Sequence, residues 1–186
     1  APTMKSTVVD AVEALRGKLR DRNDFELNSG KRVASRDPRQ FEVAVRDFDS
    51  VRAEIDTIRK AARLDESGFV RSPSSQNWMG DKAMHAFKDG VKYLCQRSGV
   101  SMRRGQFQSA QADLDAALVL SAAPLVCRDS LSQALAANFQ TMVIRSAELF
   151  LTYGPHDVAE KVGDLARHLS NPFSLEEAFI EQAIDE

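Results

Sequence analysis

The stretch from Phe107 to Leu151 constrains the fold most. Phe107, Ala110, Leu114, Ala117, Leu118 and Ser121 recur every three or four residues, which puts them on one helical face. Pro124 then interrupts the pattern within Ser121–Ser130, because proline lacks the N–H and its ring collides with the preceding turn. Beyond it, Leu131, Leu135, Phe139, Met142 and Leu149 form a second stripe. Two apolar stripes joined by a short loop leave water only by facing each other, which predicts an antiparallel αα-hairpin.

Upstream, Val8, Val9, Val12, Leu15 and Leu19 predict a helix over Thr7–Arg20. Asp21–Arg36 has no sustained period and contains Asn28-Ser29-Gly30, so it reads as a loop. Asp37 is placed to cap the next helix, with Pro38 at its first position, where the missing N–H costs nothing. Phe41, Val45, Phe48, Val51, Ile55, Ile58 and Ala62 carry that helix to about Leu64. Its other face, Arg46, Asp47, Arg52, Glu54, Asp56, Arg59 and Lys60, reads as a solvated mixed-charge surface.

Gly68–Asn77 is polar and reads as a linker. Trp78, Met79, Ala83, Phe87, Val91 and Leu94 predict a helix to Arg97, with Gly90 inside it and Ser98-Gly99 ending or kinking it. Trp78, the only tryptophan, reads as the cap of a hydrophobic core or as an interface anchor. After a break at Tyr153-Gly154-Pro155, Val158, Val162, Leu165 and Leu169 predict a helix over His156–Leu169. Ser170-Asn171-Pro172 stops it, and the capping pair Ser174 and Glu177 starts a last short helix to about Ile184. The period-two alternation of a strand is nowhere convincing. The expected fold is all-α: an up-down four-helix bundle with an additional N-terminal helical hairpin. Residues 1–76 form the N-terminal extension, and 77–186 the bundle with its short C-terminal helix.

Composition narrows the function classes. The 186 residues are 43% hydrophobic and 28% charged, ordinary for a globular chain, and contain no run of about 18 apolar residues that would span a membrane. A net charge of -2 argues against a general nucleic-acid binder. The chain begins at Ala1, as it would after removal of either an initiator Met or a targeting segment.

Few constellations suggest chemistry. His85 lies mid-helix with no second ligand a turn away, and His156 and His168 are too far apart to share a metal from one helical turn. His156, with Asp157 and Glu160, reads as a solvated helix start. Cys95 and Cys127 fall at opposite ends of a bundle, separated by the length of a helix, roughly 30 Å. A disulfide needs Cα atoms within about 7 Å, so both are expected as free thiols. No phosphate loop, nucleophile elbow or Cys/His nucleophile is present. Asp113 with Asp115, and Glu176 with Glu177, read as solvated helix carboxylates. No catalytic residue, metal or cofactor is expected. The most informative charge feature is Lys31, Arg32, Arg36 and Arg39, with Arg103 and Arg104 as a second group. These read as a docking patch for an acidic protein or as ordinary solvated cations. Only Phe25 and Phe41 lie near, too few aromatics for base stacking.

The segment Leu118-Val-Leu-Ser-Ala-Ala-Pro124, followed by Ser130-Leu131 and Phe139-Gln140, resembles the second-to-third helix connection of PsbQ proteins, extrinsic subunits of photosystem II. Asp115 and Ala159-Glu160-Lys161 are similar as well. Departures are the missing basic run of the second helix, Cys127 in a spacer the family fills with lysines and acids, the first 75 residues and the final helix from Ser174. The resemblance implies a divergent, algal-type member: a four-helix bundle in the chloroplast thylakoid lumen, peripheral to the membrane. Such a protein docks on the photosystem II core and its other extrinsic subunits and stabilises the oxygen-evolving centre without catalysis. Ala1 would then follow a cleaved transit peptide. The alternative reading is a filament-forming coat or nucleic-acid-packaging helical-bundle protein.

Overall fold

A computed structural model describes residues 2–19, 21–64, 81–126, 130–153 and 155. The described residues contain helices and no strand: α1 (Met4–Lys18), α2 (Arg22–Ala34), α3 (Pro38–Ser50), α4 (Arg52–Ala61), α5 (Asp81–Arg103), α6 (Phe107–Ala122) and α7 (Ser130–Tyr153). A single 3₁₀ turn, Ala123–Val126, follows α6. The all-α expectation holds. The linker Gly68–Asn77, Trp78, Cys127 and everything expected from His156 onward lie outside the described residues. So does the fourth helix of the expected up-down-up-down order.

Helix α1 starts earlier than its apolar stripe because Thr3 caps it. The Thr3 hydroxyl accepts from the Ser6 N–H, and the Ser6 hydroxyl accepts from the Thr3 N–H, both at 3.1 Å. Met4, Val8, Ala11, Val12 and Leu15 are buried.

The loop expected over Asp21–Arg36 is instead helix α2, and the described residues up to Leu64 form four helices rather than the two of one hairpin. Asp21 accepts from the Asp24 N–H at 3.0 Å, and Phe25, Ser29 and Val33 form a buried stripe at a spacing of four. The middle position of that stripe is polar and sits in a sequence that mimics a turn. Its hydroxyl is satisfied by donating to Gln96 Oε1 at 2.9 Å. Phe25 also packs in tilted geometry on Phe48 and Tyr93, with centroids 5.5 Å away in each case.

Asp37 and Pro38 open α3 as expected, the Asp37 carboxylate accepting from the Arg39 N–H at 2.9 Å. The long helix then divides at Val51 (φ -113°, ψ 19°). There Ser50 donates its hydroxyl to the Asp47 carbonyl at 2.7 Å, a local bond that competes with the helical ladder. Val51 itself is fully buried.

Helix α5 is the axis of the fold and touches each of the other six α-helices. It does not end or kink at Ser98-Gly99. Ser98 donates to the Ala110 carbonyl at 2.9 Å, and a Cβ on Gly99 would lie 2.9 Å from Val33 Cγ1. Gly99 is therefore a contact point for α2 rather than a breaker. Gly90 has the same role more loosely, facing Ile58 and Val8. The stop comes at Gly105, whose φ of 72° is left-handed. Its N–H donates to the Met102 carbonyl at 2.9 Å, and that of Gln106 to the Ser101 carbonyl at 2.8 Å, the paired bonds of a Schellman ending.

The order of contacts along α5 gives directions. Ser29 and Val33 of α2 meet Gln96 and Gly99 in the same sense, so α2 runs parallel to α5. Ile58 and Asp56 of α4 meet Gly90 and Arg97 in the reverse sense, so α4 runs antiparallel to it. Helix α6 returns along α5, and α7 packs on both. On α7 the buried face is Ser132, Ala136, Phe139, Gln140, Val143 and Ala147. The expected stripe is rotated from this: Leu135 and Met142 are half-buried and Leu149 is exposed. Two residues of that face, Ala136 and Ala147, are small, and spacing judged on large side chains alone passes over them. One apolar cluster joins residues from α1 through α7.

Candidate functional site

Two features stand out: a charge network inside the fold and a basic end beside a cavity. The network joins α4, α5 and α6. Arg97 donates through Nε to Asp113 Oδ2 at 2.7 Å and through Nη2 to Asp113 Oδ1 at 2.6 Å. Its Nη1 reaches Asp56 Oδ1 at 2.8 Å, and Arg59 bridges Asp56 at 3.2 Å and Asp113 at 3.5 Å. The Asp113 side chain is 0% exposed, which corrects its reading as a solvated carboxylate; Asp115 is exposed as expected. Asp56, Arg59 and Glu54 are likewise drawn inward from a face expected to be solvated, while Arg46, Arg52 and Lys60 do lie exposed. Burial raises the Asp113 carboxyl above the usual range, against the pull of Arg97 and Arg59. Burial also works against the charge on Arg97, but Asp113 and Asp56 outweigh it. Arg97 Nη1 also reaches the Arg52 carbonyl at 3.5 Å, and every partner belongs to the protein itself, so the network is an internal clamp.

The residues expected to dock a partner gather where α2 ends, α3 begins and α5 ends. They separate into two groups. Arg32 is committed inside the fold: its side chain is 17% exposed and pairs with Asp24 at 2.7 Å and Asp47 at 3.5 Å. The Asp24 carboxyl is held below its ordinary range by Asn28 and then Arg32. Arg103 lies over the Phe41 ring, 3.7 Å from its centroid. It donates through Nη1 to the Val33 and Ser35 carbonyls at 2.6 and 2.9 Å, satisfying the end of α2. Arg104 reaches Asp49 at 3.8 Å. Lys31, Arg36 and Arg39 are exposed, and no ion pair among the described residues engages their side chains.

Beside this end, α2, α5 and α7 enclose a half-open cavity of about 690 Å³. Val33, Cys95, Met102, Phe107 and Leu149 supply much of its apolar wall, and Arg36 and Arg103 are its charged residues among those described. The Cys95 thiol is buried, and burial pushes it up to about 12 against a smaller lowering by Ser146. Nothing in the sequence pattern points to this cavity, because it needs α2 to be a helix. Its nearest signal is the cation cluster, two members of which line it.

His85 is exposed on α5. Among the described residues no group of three or more His, Cys, Asp or Glu is placed to hold a metal ion, and no helix is long and apolar enough to cross a membrane. Comparison with protein-family models, curated proteins and solved structures finds no match to this chain.

Proposed function

We propose that the chain is a non-catalytic docking subunit that binds an acidic surface of a larger assembly through its basic end. The observation that carries this is the division among its cations. Arg32, Arg97 and Arg103 are used to build the fold, whereas Lys31, Arg36 and Arg39 stand exposed together at the α2–α3 junction. A cluster of exposed like charges costs folding free energy through mutual repulsion, and a partner of opposite sign offsets that cost. The resemblance of the α6–α7 connection to PsbQ proteins supports a narrower reading. There the partner is photosystem II, and the place is the thylakoid lumen, peripheral to the membrane.

The test is co-sedimentation with photosystem II membranes stripped of their extrinsic subunits. The native chain binds at low ionic strength, and the variant Lys31→Glu/Arg36→Glu/Arg39→Glu stays in the supernatant. Equal binding of the two proteins would overturn the basic end as the docking face. Failure of both to bind would overturn the narrower reading.

A further inference from the structure

The cavity between α2, α5 and α7 is distinct in chemistry from the basic surface beside it. Its volume of about 690 Å³ lies inside the range of roughly 300–1,000 Å³ typical of small-molecule sites. That is far more space than one side chain of a docked protein would fill. The wall is mainly apolar, with Cys95, Gln96 and Ser146 among its uncharged polar residues. The charged residues lining it among those described are both cations. Arg103 is held in place by the Phe41 ring and by two carbonyls that occupy only its Nη1. Arg36 is exposed.

We propose that this cavity binds a single-chain amphipathic anion, a medium- or long-chain carboxylate. Its hydrocarbon lies against Val33, Met102 and Leu149, and its head group meets Arg36 and Arg103. An apolar floor with a cationic edge matches such a molecule at both ends. A neutral hydrocarbon leaves the arginines unmatched, and a small anion leaves the floor empty. Arg36 is shared with the basic end, but the site rests on the cavity and does not depend on which assembly that end docks on.

The test is calorimetric titration of the full chain with decanoate below its micellar concentration, alongside acetate and decyltrimethylammonium. Decanoate binds saturably at one site; acetate, lacking the chain, and decyltrimethylammonium, with the charge reversed, do not. Arg36→Glu, at an exposed position, weakens decanoate about fivefold, as expected for one partly exposed ion pair. Ala34→Trp, on the exposed last turn of α2 at the cavity edge, abolishes binding without changing the helical circular dichroism. Absence of saturable decanoate binding, equal binding of acetate, or undiminished binding by Ala34→Trp would each overturn the proposal.

Discussion

Arg97 on α5 and Asp113 on α6 grip each other through two parallel hydrogen bonds of 2.7 and 2.6 Å, with the Asp113 side chain wholly out of solvent. Asp56 and Arg59 extend the pair onto α4, so three helices share one charge network. Removing one partner leaves the other charged and buried. Asp113→Ala should therefore cost about 3–5 kcal/mol in urea unfolding. Replacing Arg97 and Asp113 together by Met and Leu should cost much less than either single change. A double-mutant cycle with no coupling between the two would contradict the clamp.

Tyr93 tests the opposite case. Its ring is fully buried against Phe25, its hydroxyl has no hydrogen-bond partner among the described residues, and burial holds it well above the usual phenol range. Tyr93→Phe removes an unsatisfied polar group and keeps the ring. It should raise stability by about 1 kcal/mol, read as a higher denaturation midpoint at unchanged slope.

The glycines separate packing from propensity. At Gly17, in the last turn of α1, an added methyl group would meet nothing within 4 Å, so Gly17→Ala should stabilise by about 0.5–1 kcal/mol. At Gly99 the added carbon would lie 2.9 Å from Val33 Cγ1, so Gly99→Ala should destabilise by about 1–3 kcal/mol despite the better helix former. Thermal melts of the two variants should move in opposite directions.

Cys95 sets a pH dependence. Its folded-state pKa, about 12, lies above the ordinary 9.0 of a thiol, so the unfolded chain loses this proton first. The contribution to stability is complete below pH 9.0 and is lost as pH rises from there toward about 12. In a Cys127→Ser background, iodoacetamide at about pH 8.5 should label the native protein far more slowly than the urea-unfolded one. Equal rates would show that the thiol is not shielded.

The helices with large, regularly spaced apolar residues are legible in the sequence: α1 from its valines, α3 from Asp37-Pro38, α6 from Leu114 and its neighbours. Helix α2 is not, because Ser29 holds the centre of its buried face and Gly30 follows it. Only the contact with Gln96 reveals why a polar residue belongs there. Gly99 misleads in the same way, since a glycine chosen for close approach looks like one chosen to end a helix. The cation cluster is visible as a group, but its division is not. Whether an arginine is engaged by Asp24, by a helix end or by solvent depends on neighbours from three different helices. The buried role of Asp113 depends on Arg97 and Arg59 arriving from two other elements, so no local pattern announces it.

Docking on an acidic assembly through the exposed positive charge of the α2–α3 junction is the central claim. Its most direct measurement is the affinity of the native chain for stripped photosystem II membranes across a salt titration. The predicted result is tight binding at low ionic strength that falls steadily as salt rises and vanishes near 1 M, where screening is complete within about 3 Å. Binding that is indifferent to salt throughout would contradict it, and binding that is absent at low salt would contradict photosystem II as the partner.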